Sequence, residues 1–231
     1  MIPISDSPGP RHSFPFVTLL LIAANIFVFL VFELGQPSER ALSAFIRSAG
    51  VVPQELASGR DIAPFSPFAG VYGTLLTSMF LHGGWLHLGS NMLYLWVFGD
   101  NVEDALGKLP YLVFYLVCGI VGGLSHVLFN LASNVASIGA SGAIAGVLAG
   151  YLALFPHAQI RTLVFLGPFI LLPRLSALFL IGFWFITQLF SGLAAIELES
   201  NQSTGVAFWA HIGGFIAGFL LVRVMPAARR R

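Results

Sequence analysis

The chain has 231 residues, 57% of them hydrophobic and only 9% charged, with a formal net charge of +1. Soluble domains carry about 25% charged residues, so this composition excludes an ordinary water-soluble domain. The near-zero net charge gives no basis for a nucleic-acid partner. Several windows of about 20 apolar residues predict a polytopic helical membrane protein, all-α in class. The lone Cys118 lies in an apolar run, which excludes a disulfide framework or a cysteine-built metal site within one chain.

In chain order, residues 1–13 read as a short polar N-terminal segment, and the first span is expected over Phe14–Phe32, with Pro15 suited to a first helical turn. The run is longer than a signal-peptide core and no small-residue cleavage pattern follows it, so it reads as a retained span. Residues 33–70 form a long connection that mixes Glu39, Arg40, Arg47, Glu55, Arg60 and Asp61 with the apolar Phe45, Ile46, Val51, Val52, Phe65 and Phe68. Connections this long are functional or disordered, and the apolar content predicts a loop partly embedded at the bilayer edge. Val71–Phe98 is too long and too polar in its middle for one crossing. Gly83-Gly84 offers a break, which extends the membrane-associated connection over 33–83 and starts the second span near Gly84.

The six spans are expected at about 14–32, 84–106, 110–131, 137–155, 175–196 and 206–224, with a basic tail over 225–231. Residues 157–174, with Arg161, Pro168, Pro173 and Arg174, read as an amphipathic surface segment and not a crossing. Six crossings put both termini on one side. Arg11, Lys108, Arg161, Arg174, Arg223, Arg229, Arg230 and Arg231 fall on that side, and only Arg40, Arg47 and Arg60 fall opposite. The positive-inside bias then makes both termini cytoplasmic.

Spans two, four and six run inward from the outer face, and their starts hold polar side chains: His87 and Asn91, Ser141, and His211. Polar groups inside a membrane face the protein interior or a water-filled cavity. At about 1.5 Å of rise per residue, Ser141 and His211 lie roughly 5–10 Å below the outer surface. Small residues on each helix let the two approach: Gly142, Gly146 and Gly150 on span four, and Ala210, Gly214 and Gly218 on span six. Ser141 alone reads as packing filler, and His211, His87 and Asn91 alone as ties between helices. Taken together they make a nucleophile, a base and hydrogen-bond donors at one depth. An imidazole takes the hydroxyl proton as the oxygen attacks a carbonyl. The backbone N–H of Ser141, with His87 and Asn91 four apart on one helix face, offers donors to the resulting oxyanion. No Asp or Glu lies at that depth in spans four or six, so the expected arrangement is a dyad. His82 and His126 read as a loop or interface histidine and a core histidine. Trp184, Phe183 and Phe185 read as packing or lipid-facing residues.

These residues carry a resemblance to the rhomboid intramembrane serine proteases. Gly139-Ala140-Ser141-Gly142 matches the family's GxSG, Ala210-His211-Ile212-Gly213-Gly214 with Gly218 its AHxGGxxxG, and His87-Leu88-Gly89-Ser90-Asn91 its HxxxN. The resemblance implies a six-transmembrane-helix rhomboid-like bundle, with Ser141 as nucleophile and His211 as general base and acid. It implies an oxyanion hole of His87, Asn91 and the Ser141 N–H, and helix packing through Gly139, Gly142, Gly146, Gly214 and Gly218. It also implies a mobile fifth span that gates lateral substrate entry, and a structural role for Glu103. The chain departs from the pattern of some members in two places. Ala145 stands four residues after the serine where they carry a tyrosine stacked on the base, and the Trp-Arg pair of their first loop is absent from 33–70.

The expected function is intramembrane serine endopeptidase activity on the transmembrane segments of membrane-anchored proteins, with no cofactor and no metal. The partners are single-span membrane proteins and the bilayer. The expected location is a bacterial inner (plasma) membrane, as a multi-pass protein. The alternative is a non-catalytic relative that binds transmembrane helices for chaperoning or quality control. A small transporter is disfavoured because the deep spans are nearly free of charge, and no HExxH is present for zinc.

Overall fold

Helix α1 (Phe16–Val28) starts directly after Pro15, and a buried carboxylate from far along the chain satisfies its first turn. The Glu103 carboxylate accepts the N–H of Val17 at 3.0 Å and of Thr18 at 2.8 Å, and the Thr18 hydroxyl at 2.8 Å. Glu103 is fully buried. The charge is tolerated because three donors converge on it and it sits at the positive end of a helix. The computed structural model describes residues 1–7, 12–197 and 207–225.

After α1 the chain makes a π-type turn over Phe29–Glu33, and the long connection that follows is built of short helices. These are α2 (Glu39–Ala49), α3 (Pro53–Ser58) and α4 (Gly70–Thr77). The Ser38 hydroxyl caps α2 by accepting from the Ala41 N–H at 3.2 Å. Arg47 pairs with Glu55 and also donates to the Asn134 carbonyl at 2.8 Å. Val51 and Ser137 exchange backbone hydrogen bonds of 2.9 and 2.8 Å. The connection is thereby pinned to the strand-like residues that lead into the serine motif.

The remaining helices are α5 (Trp85–Leu106), α6 (Lys108–Leu128), α7 (Ser141–Leu154), α8 (Ala177–Glu197) and α9 (Phe208–Val224). The core lies where α6, α7 and α9 meet, with α5 and α1 layered outside α7 and α6. Glycine makes that junction. A side chain on Gly214 would overlap the Gly142 carbonyl, and one on Gly218 would overlap Gly146. A Cβ on Gly122 of α6 would stand 2.7 Å from the Ala210 carbonyl. The ridges expected on spans four and six do face each other, but α6 completes the contact. Around Gly150 the nearest atoms to a Cβ belong to Phe114 of α6 and Val102 of α5.

An all-α chain was expected, and the fold is mostly helical but carries a sheet. β1 (Ile2–Ser7) pairs antiparallel with β2 (Gln159–Leu166), which also pairs with β3 (Phe169–Leu171) and β4 (Arg174–Ser176). The polar N-terminal segment and the expected amphipathic segment at 157–174 are therefore two halves of one structure. β1 is not self-sufficient in sequence, because it finds its backbone partners in β2, more than 150 residues away. Asp6 fastens the sheet to the bundle: its Oδ2 accepts from the Tyr151 hydroxyl at 2.6 Å and from the Asn101 amide at 2.9 Å.

Among the described residues, three helices are long and apolar enough to cross a membrane: Phe16–Glu33, Lys108–Leu128 and Ala177–Ala194. Ser141–Leu154 and Phe208–Val224 are apolar but shorter, and α5 carries Asp100, Glu103 and Asp104 near its end. The expected count of six spans exceeds what helix length alone supports. α7 is short because residues 137–140 are not helical, so at 1.5 Å per residue it reaches only about 21 Å, less than a bilayer core of about 30 Å. The loop at 198–206, the first expected residue of span six and the basic tail beyond Met225 lie outside the described residues.

Candidate active site

The site forms where the extended residues 137–140 turn into α7. Gly139 has φ +124°, a backbone conformation open to glycine. A Cβ there would also stand 2.9 Å from the His87 ring. The Gly139 N–H donates to the Ser78 carbonyl at 2.9 Å, which ties the turn to the segment after α4. Ser141 is the first residue of α7, and the first intrahelical bond of the turn is Ile144 N–H to the Ala140 carbonyl at 3.0 Å. The Ser141 N–H therefore has no acceptor within its own helix.

His211 lies in the first turn of α9, where the tight contact of α9 with α7 brings its ring beside the serine. Its Nε2 is 2.8 Å from the Ser141 Oγ, and both residues are half-buried. The two are 70 positions apart in the chain, so only the packing of α7 on α9 joins them.

His87 sits in the first turn of α5 against Gly139, and Asn91 follows one turn later. The Gly83 N–H donates to His87 Nδ1 at 3.2 Å. With Nδ1 accepting, the neutral ring carries its proton on Nε2, the nitrogen that faces Gly139. Asn91 is buried, and its amide donates to the His87 carbonyl at 2.9 Å, which leaves its second N–H for another acceptor. Ser141, His211 and His87 thus meet around the turn at Gly139, with Asn91 one turn further along α5. His82 is buried beside His87, with ring centroids 5.0 Å apart.

A family model for the Rhomboid domain matches residues 69–227, more than half of the chain. The chain belongs to the rhomboid family. Comparison with curated proteins gave no match. The matched region of this rhomboid protein runs from the residue before α4 through α9 and includes every polar residue of the site.

One residue of the site was not singled out from sequence. Gln188, on α8, places its Oε1 2.7 Å from His211 Nδ1, on the far side of the imidazole from the serine. One turn earlier on the same helix, the Trp184 ring lies 5.7 Å from the His211 ring at 36°. The position of the absent tyrosine, Ala145, is fully buried. The signal for Gln188 was present, since it is the one amide in the apolar run 177–197. Nothing local linked it to a histidine across a loop. Trp184 packs as expected, against His211 and Phe215, while Phe183 is exposed and Phe185 stacks on Phe215 at 4.1 Å.

Proposed function

We propose that this rhomboid protein is an intramembrane serine endopeptidase that cleaves transmembrane segments of membrane-anchored proteins through a Ser141–His211 dyad. The observation that carries the reading is the 2.8 Å contact between Ser141 Oγ and His211 Nε2, within the reach required of a nucleophile and its base. Ser141 Oγ attacks the scissile carbonyl carbon as Nε2 takes the hydroxyl proton. The tetrahedral oxygen gains negative charge, and the Ser141 N–H, His87 Nε2–H and the second Asn91 N–H supply donors for it. His211 then passes its proton to the leaving amine, and the acyl group stays on Ser141. A water molecule, deprotonated by the same Nε2, attacks the ester and restores the serine.

Substrates of this enzyme are single-span membrane proteins. A helix hides its carbonyls in internal hydrogen bonds, so cleavage favours segments that unwind at the cut. The same reading places six crossings in the bilayer, the outer ends of α5, α7 and α9 at the site, and both termini in the cytoplasm. The arginine distribution supports that orientation, as does the pairing of β1 with β2, which gathers the N-terminus with the inner ends of α5 and α7. A helix-binding relative without activity has no need of a serine hydroxyl at hydrogen-bond distance from an imidazole.

The test is fluorophosphonate labelling and cleavage of a single-span substrate in detergent by the wild type, Ser141→Ala and His211→Ala. Labelling and cleavage are expected in the wild type and absent from both variants. Cleavage that persists in both variants removes the dyad.

A further inference from the structure

We propose that Gln188 is the positioning residue of the dyad: its side-chain oxygen holds the His211 proton on Nδ1, and α8 is the element that delivers it. The inference rests on the protease reading above and adds to it the group that orients the base.

Three groups stand in one line. Gln188 Oε1 lies 2.7 Å from His211 Nδ1, and His211 Nε2 lies 2.8 Å from Ser141 Oγ. An amide oxygen only accepts, so Nδ1 donates, and the neutral ring keeps its lone pair on Nε2. That is the tautomer a base needs if it is to take the serine proton. The opposite amide orientation would place an N–H against Nδ1 and force the proton onto Nε2, where the ring could not act as base. The chemistry of the site thus selects the oxygen as the inward atom.

The rest of the site leaves this task to α8. Ala145, one turn beyond the serine on α7, is a buried methyl group with no means of orienting a ring. Among the described residues, no carboxylate is hydrogen-bonded to the imidazole, and the amide sits at Nδ1. A neutral amide suits the setting, because an ionised partner in an apolar interior carries a large desolvation penalty. Trp184, four residues before Gln188 and so on the same helix face, lies beside the ring of His211 and that of Phe215. One face of α8 therefore supplies both the hydrogen-bond acceptor and the aromatic wall.

The placement has a consequence for control of the site. Ser141 and His211 belong to the glycine-tight junction of α7 and α9, whereas Gln188 belongs to a helix whose outer face is bare. Phe179, Ile186, Phe190 and Leu193 on α8 are all exposed. A displacement of α8 would leave the nucleophile and base in contact but strip the acceptor from Nδ1. The base is competent only while α8 is packed.

The experiment compares full-length wild type, Gln188→Leu and Gln188→Glu on a single-span substrate in detergent, with 15N spectra of histidine-labelled wild type. The Leu variant should keep its thermal unfolding midpoint and its KM to within about twofold, and lose kcat by about 100-fold, the scale of general-base catalysis. Its fluorophosphonate labelling should slow in parallel. The Glu variant, which keeps an acceptor, should recover to within about tenfold of wild type, since an ionic partner at the same atom still orients the ring. In wild type the His211 signals, identified by their loss in His211→Ala, should report the Nδ1–H tautomer. A Leu variant with wild-type kcat, a loss confined to KM, a Glu variant as inactive as Leu, or an Nε2–H tautomer each overturns the proposal. If Gln188→Leu does not fold, the tautomer of the wild type still decides. A wild type that neither cleaves nor labels overturns the protease reading itself, whereas wild-type activity matched by the Leu variant overturns only the role of Gln188.

Discussion

The junction of α6, α7 and α9 and the helix α8 stand on opposite sides of the same imidazole, and they are built by opposite means. In the junction, backbones touch: Gly146, Gly214 and Gly218 leave no room for a methyl group. Association inside a bilayer gains little from hydrophobicity, so close backbone packing is what holds helices together there. α8 instead meets its neighbours through large side chains such as Trp184 and Phe185, and shows most of its apolar surface outward. Its sole amide is spent on His211. The chemistry is held by the rigid side, and its orientation is lent by the loose one.

The comparison breaks most sharply at Gly218. Gly218→Leu should separate α9 from α7 and abolish both cleavage and fluorophosphonate labelling. Overpacking of this kind costs about 1–3 kcal/mol where neighbours can yield, and more where the obstacle is backbone. A thermal scan in detergent should show the loss of stability alongside the loss of activity. A variant that retains both would show that the junction is not close-packed.

Gly139→Ala acts on the site without touching the junction. It combines strain at φ +124° with a clash against His87. A cost of roughly 1–3 kcal/mol for such backbone strain corresponds to about 10- to 100-fold if it falls on the transition state. The expected result is a lowered kcat with a nearly unchanged unfolding midpoint.

Glu103→Ala leaves three buried donors at the start of α1 without their acceptor. Each unsatisfied group costs about 1–3 kcal/mol, so unfolding in detergent should shift well downward. Activity per folded molecule should persist, because α1 does not reach the dyad. Asp6→Ala should have a smaller effect of the same kind, since it removes the acceptor of the Tyr151 hydroxyl while the Asn101 amide still donates to Asp100. Its distinctive readout is proteolysis of the N-terminal strand, which should become faster.

The smallest effect is expected at Phe190 on the bare face of α8. It is 70% exposed, and Phe190→Ala should leave stability unchanged within about 0.5 kcal/mol, as for surface positions away from special features. A large loss of stability would mean that α8 is packed as firmly as α9 and would erase the contrast.

Much of this was legible in the chain. Low charge and long apolar runs marked a membrane protein, because a bilayer demands apolar length and internal hydrogen bonding. The spacing Gly139-Ala140-Ser141-Gly142 and the small residues around His211 marked a close approach of two helices, because only small residues permit it. What stayed hidden has one cause: partners chosen across distance. β1 and β2 are short, and nothing in Ile2–Ser7 reveals that its backbone pairs with Gln159–Leu163. The first turn of α1 needs an acceptor, but sequence does not say that it is Glu103.

The site divides in the same way. Residue types and local spacing determined which groups can act: a serine at a helix start, a histidine one helix away, and an asparagine one turn from a second histidine. Only the tertiary structure decided what holds His211. Ala145 left the position of a stacking tyrosine empty, and the replacement came from another helix, through a glutamine 23 residues from the histidine. A local pattern can specify a turn or a packed ridge because the interacting atoms are close in the chain. An orienting hydrogen bond between two helices exists only once their depth, rotation and separation are set by everything packed around them.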